Sequence, residues 1–203
     1  MAKIYNIDSS NIDINPKEVL RYLGYSILGI DESNIEYAVS KIEKARINIV
    51  SRVCYDRFEI CVNEDGHIAL PYGNIYSKDL AVNLRGCEEI FLFAATLGNE
   101  YDRAMRRAKV SSIADAACYQ AVGAAAIEDI CDKLMNQLSE AVRAEGKQLK
   151  PRYSPGFGDF GLENQKGIFK VLQPENKIGL TLMDTLIMAP EKSVTAVIGI
   201  ETL

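Results

Sequence analysis

The stretch from Ser111 to about Ala144 constrains this chain more than any other. Ile113, Ala117, Gln120, Ala124, Ile127, Cys131, Leu134 and Leu138 recur at alternating spacings of three and four, the period of one helical face. Ala114, Cys118, Ala121 and Ala125 widen the stripe with small side chains, which let a neighbouring helix or sheet come close. A helix of roughly 50 Å with one such face is the spine on which other elements must pack. Glu128 stands at the border of the stripe, where a carboxylate reaches solvent or meets a buried partner. Asp115, Gln120, Glu128 and Asp129 make the segment too polar to span a membrane.

Elements of both kinds surround the spine. Pro16 suits a first helical turn, and Pro16–Leu23 predicts a short helix stopped by Gly24. Ser33 and Glu36 form a Ser-x-x-Glu capping box. Ile35, Val39, Ile42, Ala45, Ile49 and Val53 follow at helical spacing and carry that helix to about Arg52. Cys54–Val62 reads as a strand, Asn63-Glu64-Asp65-Gly66 as a turn and Ile68–Leu70 as the return, before a loop at Pro71, Gly73 and Asn74. Ser77 caps a short helix to about Leu84, ended by Gly86.

The apolar run over Glu89–Ala95 belongs in the middle of a sheet. Asn99 caps a helix to about Lys109. Its Arg103, Arg106, Arg107 and Lys109 are either a solvated face that complements the helix dipole or a docking patch for an acidic partner. Leu162–Leu172 reads as a helix with Ile168, Phe169 and Leu172 facing in. Thr181–Met188 and Ser193–Glu201 read as two strands of a hairpin turning at Ala189–Lys192. With no repeats and no flexible linker, residues 1–203 are expected to form one compact α+β domain. Its sheet is mostly antiparallel and twisted, with a long central helix and flanking helices.

Composition narrows the chemistry. The 203 residues, 48% of them hydrophobic, suffice for a substantial core, and the net charge of -5 argues against a nucleic-acid partner. His67 is the single histidine, so a His-rich metal site or a Ser-His-Asp triad has at most one way to be built, and no catalytic or metal-ligating residue is assigned. Phosphate-binding glycine motifs, His-Glu-x-x-His and Gly-x-Ser-x-Gly are all missing. Cys54, Cys61, Cys87, Cys118 and Cys131 are odd in number and show no Cys-x-x-Cys spacing. They read as buried structural thiols in a reducing cytosol, with a cysteine-dependent redox protein as a weaker reading. The N-terminal Met-Ala-Lys-Ile-Tyr-Asn-Ile-Asp has no apolar signal core, so a cytoplasmic location is expected.

The segment Pro151–Gly161 stands apart. Gly156, Gly158 and Gly161 allow close backbone approach or positive φ, and Pro155 stiffens the loop. Arg152 offers a planar fork for a carboxylate or phosphate, and Phe157 a face for a flat ring. Such a loop suits a small molecule with an anionic end and a ring, although composition alone favours an ordinary turn before a helix.

Arg152-Tyr153-Ser154-Pro155-Gly156-Phe157 resembles the Arg-x-x-x-Gly-Tyr signature of the vitamin B12-dependent methionine synthase activation domain. Ala126-Ile127-Glu128-Asp129-Ile130 is similar to that family's Ala-Glu helix. Met188-Ala189-Pro190-Glu191-Lys192-Ser193-Val194-Thr195-Ala196 resembles its Met-x-Pro-x-x-Ser-Val-Ser-Gly hairpin. Ala94-Ala95-Thr96-Leu97-Gly98 and Ser154–Phe160 look like stand-alone, shorter relatives of the domain. Residues 86–203 match best and residues 1–85 only loosely.

The resemblance implies a module that binds S-adenosylmethionine and reactivates cobalamin by reductive methylation from Co(II), with a flavodoxin-type donor supplying an electron. Cobalamin would come only through a partner, a methionine synthase or other corrinoid protein on which this chain acts in trans. It would be an accessory to that enzyme, without membrane or nucleic-acid partners. By the same resemblance, Arg152 would pair with the methionyl carboxylate and Glu128 would face the amino group or sulfonium region. Backbone at Ser154, Gly156 and Phe157 would hold the adenine. Three departures stand out. Phe157 replaces the family's Tyr. Tyr22-Leu23-Gly24-Tyr25 carries Gly24 where the family has a ligand-side Asp. The chain ends soon after the hairpin. They favour an alternative: a corrinoid-protein docking or chaperone module that has lost the ligand.

Overall fold

The computed structural model describes residues 2–26 and 29–203. It opens with β1 (Lys3–Tyr5), a 3-10 turn, α1 (Pro16–Tyr22), α2 (Glu32–Arg46), β2 (Arg52–Glu59), β3 (Cys61–Val62), β4 (His67–Leu70), β5 (Gly73–Tyr76) and α3 (Lys78–Asn83). Then follow β6 (Cys87–Thr96), α4 (Asn99–Ser111), α5 (Ile113–Arg143), β7 (Lys147–Leu149), α6 (Asn164–Leu172), α7 (Pro174–Ile178), β8 (Thr181–Leu182), β9 (Met188–Ala189) and β10 (Ser193–Thr202). The main sheet has the order β1-β2-β6-β10-β7 and is antiparallel throughout. The fold is thus α+β, as expected. No helix among the described residues is long and apolar enough to cross a membrane.

β6 explains why its sequence is apolar without interruption. Phe91, Phe93 and Ala95 point into one core, formed with α1, α2, α4 and α5. Ile90, Leu92 and Ala94 point into a second, formed with β4, α3, α6 and α7. A strand buried on both faces needs apolar residues at every position rather than at alternate ones. β10 is built likewise, with Ala196, Ile198 and Ile200 on the first face and Val197 on the second.

α5 lies across the first face. From Ile127 on, its buried side follows the sequence stripe through Cys131, Leu134 and Leu138. Before that, Cys118, Ala121 and Ala125 of the widened stripe are buried as expected, but Ile113 is 88% exposed and Tyr119, Val122 and Ala126 are buried in place of the rest. The first turns of α5 run past the end of the core, so an apolar residue there has nothing to pack on. Close approach comes at Gly123, where an added Cβ would sit 2.8 Å from Cε1 of the fully buried Tyr101.

Several boundaries are corrected. The box capping α2 is made by Asp31, which accepts from the Asn34 N–H at 2.9 Å, while Asn34 accepts from the Asp31 N–H at 3.2 Å; Ser33 and Glu36 do not form it. α2 ends at Arg46, because the chain must turn to enter β2 at Arg52. The expected strand 54–62 breaks at Ile60: its first part joins the main sheet and Cys61–Val62 starts a three-stranded sheet, β3-β4-β5. The loop expected at 71–74 shrinks to a turn at Pro71-Tyr72, since Gly73, at φ +138°, opens β5. Asn99 is the first helical residue of α4 rather than its cap. The run 181–188 does not pair with β10. It folds on itself as β8 and β9, because β6 takes the whole length of β10 from Ser193 to Glu201.

Candidate functional site

The site lies where pairing along one edge of β10 stops. β7 pairs with Ile200–Thr202, the Lys150 N–H donates to the Gly199 carbonyl at 2.9 Å, and Tyr153 and Val197 exchange two backbone hydrogen bonds of 2.8 and 2.9 Å. The next residues, Ser154 and Pro155, lead the chain away. Strand geometry turns the backbone of every second residue to the same edge, so that of Thr195 faces the same side as that of Val197. Between the departing loop and Ser193–Thr195 opens a cavity of about 500 Å³.

The loop is held in place by its own sequence. The Gly156 N–H donates to the Phe160 carbonyl (2.7 Å) and the Phe160 N–H to Phe157 (3.0 Å), while Gly156 takes φ +98°. Phe160 is fully buried in the second core. Asp159 accepts from the Ser77 hydroxyl and from the backbone N–H of Lys78 (2.7 Å) and Asp79 (3.2 Å), tying the loop to the start of α3. The Ser77 bond foremost, with the two backbone donors, holds the Asp159 carboxyl below the usual range. A Cβ at Gly158, which takes φ +51°, would lie 2.1 Å from the Asp79 carboxylate and 2.7 Å from the Tyr153 hydroxyl, so a substitution there would displace both side chains.

The structure gathers Glu128, Arg152, Ser154 and Phe157 around this cavity, although they come from α5 and from the loop. Gly156 does not line it; it shapes the turn behind and lies against Leu162. Phe157 is 65% exposed, edge-on to Tyr153 with ring centroids 6.4 Å apart. Arg152 is the charged centre: one guanidinium nitrogen pairs with Glu128 and the other with Asp132 at 2.8 Å. Tyr22–Tyr25, at the end of α1, does not line the cavity.

Two lining residues escaped sequence reasoning. Gln165 on α6 is 5% exposed and Thr195 on β10 is 2% exposed, and both side-chain oxygens lack a hydrogen-bond partner. A signal for Gln165 was present: Gln165, Ile168, Phe169 and Leu172 are spaced three, four and seven apart, so a polar residue completes an inward stripe. A larger groove of about 1100 Å³ runs between the Asn63–Gly66 turn and α3, but gathers none of these groups. In the basic cluster, Arg103 pairs with Glu100, Arg106 with Asp102 and Lys109 with Glu191. Cys61 is exposed rather than buried, unlike the other four cysteines.

These features define a class: an α+β domain with a cavity of about 500 Å³ at an open sheet edge, carrying an arginine–carboxylate pair. No family model matches the chain, and neither does any curated protein. Among solved structures, the chain is similar to a crystal structure of the MetH reactivation domain bound to AdoHcy, S-adenosylhomocysteine. The TM-score is 0.72 at 14% sequence identity, covering 98% of this chain and 78% of that one. The fold of this protein is that of the methionine synthase reactivation domain.

Proposed function

We propose that this protein is an S-adenosylmethionine-binding reactivation module acting in trans on a cobalamin-dependent methyltransferase, a methionine synthase or another corrinoid protein. The observation that carries the reading is the meeting of Glu128, Arg152, Ser154 and Phe157 around one cavity, in a fold solved elsewhere with AdoHcy. The ligand's amino-acid end is a zwitterion. Inserted between Arg152 and Glu128, its carboxylate takes the guanidinium and its ammonium takes the carboxylate, so the exchange leaves every charge answered. The backbone at Ser154 and Phe157 and the Phe157 ring flank the base, with Gly156 shaping the turn behind them. The methyl group of the bound sulfonium is what a partner's corrinoid, reduced by a flavodoxin-type donor, would take up. This chain's contribution is to bind and orient.

Titration calorimetry with S-adenosylmethionine and S-adenosylhomocysteine tests the reading. Stoichiometric binding is expected. Silence toward both ligands, with the corrinoid partner present as well as without it, would overturn it. One observation favours the alternative of a docking module without a ligand: Arg152 is already neutralised by Glu128 and Asp132. Capture of a corrinoid protein by a chain that ignores both ligands would decide for it.

A further inference from the structure

Three buried side-chain oxygens or nitrogens lack a hydrogen-bond partner among the described residues, and two of them, Gln165 Oε1 and Thr195 Oγ1, line the same cavity. Burying a polar atom unpaired is costly, and folded chains pair nearly all of them. Two such atoms converging on one cavity point to a partner that the chain itself does not supply. Both residues are neutral. The charges around the cavity belong to Arg152 and Glu128, so Gln165 and Thr195 match an uncharged part of the ligand.

The donor and acceptor capacities narrow that part further. A carboxamide oxygen only accepts, whereas a hydroxyl both accepts and donates. Together they complement a group that presents an N–H beside a lone-pair nitrogen, as the amino edge of an aminopurine does. A phosphate or carboxylate offers no hydrogen to the Gln165 oxygen. A purely apolar ring would leave both atoms as they are.

We infer that Gln165 and Thr195 recognise the amino-bearing edge of the ligand's purine and so set the site's specificity for adenine. This deepens the proposed function and rests on it: Arg152 and Glu128 hold the amino-acid end, and the two neutral groups read the base. The positions suit the task. Thr195 sits on the strand edge where pairing has stopped, and Gln165 is on the first turn of the helix that packs beneath the same sheet face.

The test compares S-adenosylhomocysteine with its analogue bearing hydrogen in place of the 6-amino group, by calorimetry on the wild type, Gln165→Met and Thr195→Val. The wild type should prefer the amino form by about tenfold. Gln165→Met should bind both forms alike, and Thr195→Val should bind the amino form several-fold more weakly. Without ligand, Thr195→Val should melt no lower than the wild type, because it removes an unpaired hydroxyl at nearly constant volume. Should Gln165→Met not fold, the ligand-side deletion and Thr195→Val carry the test. Binding of S-adenosylhomocysteine by the wild type with no preference for the amino group, or unchanged affinity in Thr195→Val, would overturn this inference and leave the ligand reading standing. A lower melting temperature for Thr195→Val would also overturn it, by showing the hydroxyl to be structural. No binding of S-adenosylhomocysteine to the wild type would remove both.

Discussion

Arg152 and Glu128, 24 residues apart in the chain, form an ion pair in the wall of the cavity, and Asp132 takes the other side of the same guanidinium. Glu128 and Asp132 are one helical turn apart on α5, so a single helix face offers Arg152 two carboxylates. Their side chains are 48% and 68% exposed, and such solvent-screened pairs contribute at most about 1 kcal/mol each. The arginine can therefore be released by Glu128 at little cost while Asp132 keeps it aimed. An incoming carboxylate then meets a fork already in position.

Replacing Arg152 by Ala should weaken S-adenosylhomocysteine binding by roughly 2–3 kcal/mol, read by calorimetry. Arg152→Lys should restore only part of that, because an ammonium lacks the planar fork. Asp132→Asn should cost less than about 1 kcal/mol. Unchanged affinity in Arg152→Ala would reject the carboxylate role.

Asp159 gives the loop an acid limit. Its folded-state pKa lies below the ordinary carboxylate value, so its contribution to stability is complete above about pH 5. It is lost as the pH falls through the lowered pKa, when protonation removes acceptors for Ser77, Lys78 and Asp79. Denaturant titrations of the wild type and Asp159→Asn should differ at neutral pH and converge in acid. A gap that widened on acidification would contradict this.

Gly123 should tolerate no side chain without strain. An added Cβ meets Tyr101, whose hydroxyl donates to the Tyr119 carbonyl at 2.7 Å, and comes within 3.0 Å of the Lys192 side chain. Gly123→Ala should gain some helix propensity but lose more to overpacking, for a net destabilisation of about 1–3 kcal/mol in thermal or urea unfolding.

Thiol chemistry should be confined to one position. Burial pushes the thiols of Cys54 and Cys87 up to about 11 and that of Cys131 up to about 12, and Cys118 is buried as well. A thiol reagent at neutral pH should label Cys61 alone in the native protein and all five sites after denaturation. Rapid labelling of a second cysteine would revive the redox reading.

How far the sequence spoke for itself depended on whether a signal was local. The apolar run of β6, the Ser77 cap and the Ile127–Leu138 stripe depend on neighbours in sequence, and each appears where expected. The partner of β10 is 97 residues away at Ser193–Thr96, and nothing near residues 181–192 announces it, so local pattern points to the nearest apolar run instead. The site divides the same way. Arg152, Ser154 and Phe157 share a loop that its glycines and prolines mark out. Gln165 and Thr195 look ordinary until the fold shows that their oxygens are buried and unpaired. Periodicity puts Glu128 at the edge of a helical face, but its partner 24 residues away leaves no trace in the spacing.

The single bridge between Tyr153 and Val197 has a consequence for how the protein meets its own copies. Beyond it, the rim of β10 is a row of main-chain groups on which any extended peptide could template itself, the route by which sheets grow from one molecule into the next. Pro151 and Pro155 flank the bridge and have no N–H to donate to such a ladder, and the chain that leaves at Ser154 borders the cavity beside that rim. Replacing either proline would return an N–H donor beside this rim, so such variants should be judged by aggregation as well as by affinity.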